Sequence, residues 1–160
     1  MKHEIVVRRR NARRLVHGAG LVCLLAAGAL LPHSAEAMGA FAAGIPDNVS
    51  TQGVAVGAGY NYSTREGAET RAMQECQKQQ DAPAETRALC KVIAYFDNEC
   101  VAVSMDPQPG TPGFGWAIGA NAAAANDQAL QNCRQSAGAD RVQYCVVSLT
   151  DCDTNTPAPK

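Results

Sequence analysis

Between about residues 53 and 152 the chain changes hydrophobic rhythm, and it does so twice. Tyr60 and Tyr62 fall two apart, as do Trp116 and Ile118, which is the period of a half-buried strand. A four-residue rhythm follows each pair: Ala68, Ala72 and Cys76, then Ala125, Ala129 and Cys133, with Met73 and Leu130 alongside. Residues four apart share one face of a helix, and side chains this small let a helix sit close on a sheet. Runs rich in β-branched and aromatic residues come next, Lys91 to Phe96 and Val146 to Leu149, and predict strands. Upstream, Val54-Ala55-Val56 is matched by Val101-Ala102-Val103. Each copy therefore reads strand, strand, helix, strand.

The punctuation agrees with that division. Ser63 and Glu66 have capping-box spacing and start the first helix near Thr64; Asn121 is the cap of the second. Gly59-Tyr60 answers Gly115-Trp116, Cys76 answers Cys133, and the Cys90 to Cys100 segment answers Cys145 to Cys152. The second copy carries a proline-bearing insertion, Ser104 to Gly113. The expected fold is α+β: an antiparallel sheet with two helices on one face, built from two pseudo-symmetric repeats at about 53–100 and 101–152. Residues 38–52 and 153–160 read as flexible ends around this single domain.

The first 37 residues have a different character. Lys2, Arg8, Arg9, Arg10, Arg13 and Arg14 precede an apolar run from Gly18 to Leu31, which is shorter than the roughly 20 residues a membrane span needs. Ala35-Glu36-Ala37 then offers small residues at the two positions a signal peptidase reads. The expectation is a signal peptide over 1–37 and a mature chain from Met38, with no stable membrane anchor after cleavage.

Removing that segment alters the composition. The whole chain has 14 basic and 15 acidic residues; six and two of them lie within positions 1–37, leaving eight against thirteen. A mildly acidic domain without a basic patch gives no footing for nucleic acid. His3, His17 and His33 all fall in the leader, so the mature chain has no histidine. That excludes Ser-His-Asp and Cys-His catalysis, His-ligated zinc and a histidine pH switch. Apolar residues make up 46% of the chain but aromatics only 5%, and alanine supplies much of the rest. Burying alanine removes little area from water, at roughly 25 cal/mol per Å², so the core is thin and needs help.

The cysteines supply it. Once Cys23 leaves with the leader, Cys76, Cys90, Cys100, Cys133, Cys145 and Cys152 remain. An even count in an exported domain reads as a disulfide framework, and the lack of a close Cys-x-x-Cys pair argues against zinc and thioredoxin-like chemistry. Six cysteines allow about 15 pairings. Equivalence of the copies favours Cys76–Cys90 and Cys133–Cys145, each joining a helix end to the next strand, and leaves Cys100–Cys152 to tie the copies together.

These residues resemble the family catalogued as domain of unknown function 4189, small secreted bacterial proteins with a duplicated unit. The resemblance covers about Gly53 to Cys152. It rests on Gly59-Tyr60, Ala68-x-x-x-Ala72-x-x-x-Cys76, Cys90 to Cys100, Gly115-Trp116, Ala125-x-x-x-Ala129-x-x-x-Cys133 and Cys145 to Cys152. It implies an exported fold, periplasmic or secreted, and transfers no catalytic residues.

Candidate chemistry is sparse. Asp97 and Glu99 flank Asn98, and Asp151 and Asp153 flank Cys152. Paired carboxylates serve glycan hydrolysis or hold calcium, but these sit at strand ends where charges solvate turns, and the calcium-loop pattern is absent. No metal, cofactor or catalytic residue is assigned. Tyr60, Phe114 and Trp116 are the candidate partner-binding residues, with the Ser104 to Gly113 loop beside them. The expected function is a non-enzymatic protein-binding module of unknown ligand, an inhibitor or immunity-type protein in its sharpest version. The alternatives are a carboxylate-based cell-wall glycan hydrolase and a structural or envelope-stress component.

Overall fold

Met38-Gly-Ala-Phe-Ala-Ala-Gly44 has neither alternation nor β-branched residues, yet it forms the middle of a sheet. The computed structural model describes residues 38–154 and opens with this segment as strand β1, Met38–Gly44, almost wholly buried. The expectation of a flexible segment over 38–52 is thus corrected. A central strand covered on both faces has no solvent side to mark with polar residues, so its pattern is mute. A four-residue helix α1, Val49–Gln52, occupies half of the remainder of that segment.

The other elements are β2 Ala55–Tyr62, α2 Arg65–Lys78, a short α3 Ala84–Ala88, β3 Lys91–Phe96, β4 Cys100–Met105, β5 Phe114–Gly119, α4 Ala122–Ala137, a single 3-10 turn at Val142–Tyr144, and β6 Val146–Cys152. Helix α3 and the 3-10 turn add to the expected strand-strand-helix-strand plan, and Val54 to Tyr62 gives one strand in place of two. Helix α2 is capped by Thr64, whose Oγ1 accepts from the Gly67 N–H at 3.1 Å, so Thr64 takes the place expected of Ser63. Asn121 caps α4 as expected, its Oδ1 accepting from Ala124 N–H at 3.0 Å.

The fold is α+β with a duplicated unit, but it has two antiparallel three-stranded sheets, β2-β1-β3 and β5-β4-β6. This replaces the expected single sheet with both helices on one face. Ala40 and Ala42 of β1 pack with Ala68, Ala72 and Cys76 of α2. On the opposite face of that sheet, Phe41, Ala43 and Ala58 meet Val101 and Val103 of β4. Ala102 and Ala117 in turn pack with Ala125 and Ala129 of α4. The layers therefore run α2, first sheet, second sheet, α4, with the helices outermost. Period-2 alternation sends one set of β1 side chains to a helix and the other to the second sheet. The intersheet layer holds the bulky residues, while the helix layers are nearly all alanine.

The ladders fix how the copies correspond. Strand β1 pairs with β2 and β3 as β4 pairs with β5 and β6. The register slips by one residue between Phe41 and Ala42 against β3, and between Val103 and Ser104 against β6, so the same bulge occurs in both copies. Two sequence equivalences change as a result. The counterpart of Val101-Ala102-Val103 is Gly39-Ala40-Phe41, because Val54 to Val56 leads into the second strand. The counterpart of Gly115-Trp116 is Gly57-Ala58, which makes Ile118 the counterpart of Tyr60. The supposed insertion Ser104 to Gly113 is matched by the β1–β2 connection, Ile45 to Val54, and so is no insertion.

The disulfides are Cys76–Cys90, Cys133–Cys145 and Cys100–Cys152, with Cα separations of 6.1, 6.0 and 4.0 Å. The first two lie at equivalent places. The third joins the first residue of β4 to the last of β6 inside the second copy, so it does not tie the copies together. That tie is made instead by Asp153, expected in the flexible tail but buried here. Its carboxylate accepts from the Asn61 N–H at 2.9 Å and the Asn98 N–H at 3.3 Å. Both asparagines have positive φ, 60° and 54°, a conformation that Asn tolerates better than most residues. The leader expected over 1–37 and residues 155–160 lie outside the described residues.

Candidate functional site

A three-stranded sheet has two edges, and an edge strand turns every second set of backbone groups outward. Val56 N–H donates to Gln79 Oε1 at 2.6 Å, so Val56 faces away from β1 and so, two residues on, does Ala58. On β5 the equivalents are Phe114 and Trp116. There Ser136 Oγ accepts from the Phe114 N–H at 2.9 Å and donates to the Phe114 carbonyl at 2.7 Å, while Asn132 Nδ2 donates to the Trp116 carbonyl at 2.8 Å. Gln79 stands where Ser136 stands in the other copy. Asn132, however, is replaced by Glu75, which pairs with Arg71 at 3.0 Å. An ionised carboxylate has no hydrogen to give, and no described side chain bonds the outward groups of Ala58.

The edge of β2 opens into a cleft of about 490 Å³. Arg71, Glu75 and Lys78 of α2 form one wall; Leu149 and Asp151 of β6 form the other, with Tyr60 among the lining residues. Their spacing of four and three residues puts the three charged side chains on one stripe of α2. Tyr60 is 38% exposed. Burial raises the Asp151 carboxyl above the ordinary aspartate range, opposed by a hydrogen bond from the Tyr60 hydroxyl. The Tyr60 phenol is raised in return, first by the Asp151 charge and then by its own burial. An extended chain laid along β2 would thus meet backbone partners on its inner edge, cations and a carboxylate on one side, and an apolar and acidic wall on the other.

Of the candidate binding residues, only Tyr60 lines this cleft. Phe114 and Trp116 line the equivalent space beside β5, about 570 Å³, with Ile45, Gln128 and Asn132. Trp116 is half-buried and also packs on Phe41 in the intersheet layer, ring centroids 5.4 Å apart. The structure therefore places the three residues at two pseudo-equivalent sites. The Ser104 to Gly113 loop faces the β1–β2 connection across a third space of about 540 Å³, which Phe114 also lines and Trp116 does not. It is held by Asp106, whose carboxylate accepts from Arg141 Nε at 2.6 Å and Nη2 at 2.8 Å, and whose N–H donates to the Gly113 carbonyl.

The carboxylate pairs separate as well. Asp151 belongs to the β2 cleft and Asp153 is a buried structural acceptor, contrary to the solvated turn expected for both; exposed Asp97 accepts from Asn98 Nδ2 at 2.9 Å. No group of three or more potential metal ligands occurs among the described residues. Sequence reasoning missed Arg71, Glu75, Lys78 and Gln79. Their spacing on α2 is visible in the sequence, but nothing there says which strand edge they border.

Comparison with curated proteins and with solved structures returns no match. A family described as domain of unknown function (DUF4189) matches residues 38–152, from the first residue of β1 to the last of β6. That span takes in β1, the strand that completes the first copy. With most of its length inside the match, the chain belongs to the DUF4189 family.

Proposed function

We propose that the mature domain is an exported, non-catalytic module that binds a protein partner by taking an extended segment of it along the free edge of β2. The observation that carries this reading is the difference between equivalent edges. The β5 edge is bonded by Asn132 and Ser136, whereas the β2 edge is bonded by a side chain only at Val56. The outward backbone groups of Ala58, beside a walled cleft, have no side-chain partner among the described residues. Strand addition draws affinity from main-chain hydrogen bonds and specificity from pockets for alternate side chains. Arg71, Lys78, Leu149 and Asp151 offer such contacts. Two disulfides brace the ends of the helices against their sheets, so little has to be ordered on binding. Export to the periplasm or beyond is supported by the leader pattern ending at Ala35-x-Ala37 and by three disulfides, which persist in oxidising compartments. Among the described residues, no helix is long and apolar enough to cross a membrane.

A second reading, carboxylate-based hydrolysis of cell-wall glycan, draws on Asp151, raised by burial, and Glu75, which line the same cleft. The Arg71 pair occupies Glu75 and weakens this alternative. One experiment separates them. Displayed ten-residue peptides are selected on the oxidised domain, and amide hydrogen exchange is followed with the best binder. Protection of the Ala58 amide, lost with Tyr60→Ala or Arg71→Ala, is the expected result. Binders that leave the β2 amides unprotected, or peptidoglycan turnover abolished by Asp151→Asn, overturn the proposal.

A further inference from the structure

At one pair of equivalent positions only one copy carries a disulfide. In the second, Cys100 opens the central strand, Cys152 closes its neighbour, and a disulfide joins them. Gly39 opposite Phe96 corresponds to Val101 opposite Asp151, so one step outward the counterparts of Cys100 and Cys152 are Met38 and Asp97. The first copy has no disulfide there. Instead, Met38, Asp97 and Glu99 line a cavity of about 320 Å³, together with Arg65 and Tyr95. Arg65 lies over the Tyr95 ring, 4.3 Å from its centroid, and Tyr95 donates to Glu69. The ion pairs among the described residues are Arg71–Glu75 and Arg141–Asp106, so neither Asp97 nor Glu99 has a cationic partner. Met38 is also the residue that follows the small-residue pair of the leader.

We propose that cleavage between Ala37 and Met38 creates an α-ammonium at the head of β1 that ion-pairs with Asp97 and Glu99, closing the first copy where a disulfide closes the second. This rests on the export reading. A signal peptidase adds water across the Ala37–Met38 peptide bond; the hydroxyl completes the Ala37 carboxylate and the freed Met38 nitrogen is protonated at neutral pH. Before cleavage that nitrogen is a neutral amide and makes no such pair. After it, the half-buried end of a strand buried along the rest of its length is anchored to the β3–β4 turn. Maturation then tightens the fold as well as releasing it.

The test uses the exported protein, whose intact mass should show a Met38 start and three disulfides. Its melting temperature is compared with that of the same protein acetylated on the α-amine, and of a form that begins at Ala37. The free Met38 form should melt several degrees higher than both, and Asp97→Asn with Glu99→Gln should erase the difference. Should that double variant fail to fold, Glu99→Gln alone must narrow the gap. Equal melting of all three forms overturns the proposal, as does a difference that persists without the two carboxylates. A start at any other residue overturns it together with the cleavage it rests on. Peptide capture at β2 is unaffected by these changes, so failure here leaves the binding proposal standing.

Discussion

Gly57 and Gly115 occupy the same point in the two copies, each pressed against the helix of its own half. A Cβ on Gly57 would lie 2.3 Å from Cys76 N and 2.4 Å from the Ala72 carbonyl oxygen. On Gly115 the corresponding distances to Cys133 N and the Ala129 carbonyl oxygen are 2.3 and 2.6 Å. In both places the obstacle is backbone, which has no rotamer to yield. Gly57→Ala and Gly115→Ala should each destabilise the domain by about 2–3 kcal/mol, the upper range for overpacking a tight interface. Thermal melting of the oxidised proteins checks this, and the two losses should be similar because the contacts are.

Removing the disulfide of the second copy tests how far a thin core depends on its staples. Cys100 and Cys152 are 52 residues apart in sequence, so their bond closes the longest loop of the three. The Cys100→Ala, Cys152→Ala double variant should lose about 2–5 kcal/mol. Denaturant unfolding gives the number. Thiol titration of the unreduced, unfolded parent should find no free thiol among the six cysteines of the mature chain.

Acid should remove the stabilisation of the Asp106–Arg141 pair only at low pH. Asp106 is buried and its carboxyl is held below the usual range, chiefly by the hydrogen bonds from Arg141. A carboxylate depressed in the folded state stabilises above its unfolded pKa, about 3.9, and that stabilisation is lost as pH falls through the lower folded value. Asp106→Asn should therefore be less stable at pH 7 and fall less steeply with acid below pH ~4. Arg141→Lys should also be destabilised, because a lysine cannot make the two-bond fork. Melting curves across pH 2 to 7 decide both.

Asp151 carries the opposite sign. Burial raises its carboxyl, so its contribution is greatest below the ordinary aspartate pKa and is lost as pH rises through the folded value. At pH 7 the half-buried charge detracts from stability, and Asp151→Asn should melt at the same temperature or higher. The Tyr60 phenol should meanwhile titrate closer to its ordinary value of about 10, since the charge that raises it is gone. Ultraviolet titration of the variant, with Tyr60→Phe identifying the signal, reads this directly.

Local rules wrote the helices and their staples legibly. Asn121 and the residues around Thr64 mark where the helices begin, and the four-residue rhythm of alanines and cysteines marks the buried faces. Equivalence of the copies favoured the Cys76–Cys90 and Cys133–Cys145 pairs, which the structure contains. These features depend on neighbours within a few turns, and sequence spacing reports such neighbours faithfully.

What the sequence by itself determined is the α+β class, the duplication, the even set of six cysteines after residue 37 and the mildly acidic, histidine-free composition of residues 38–160. The tertiary structure alone decided that Met38 to Gly44 is a central strand, because burial on both faces erases the alternation that would have announced it. It alone chose Gly57 over Gly59 as the counterpart of Gly115, since both β2 glycines touch α2 and only the ladder fixes register. It also decided that the sheet is two sheets and that the β2 edge borders a cleft walled by α2 and β6. Which strands meet across a core, and which side chains reach an edge to close it, are relations between residues far apart in the chain. No local pattern records them.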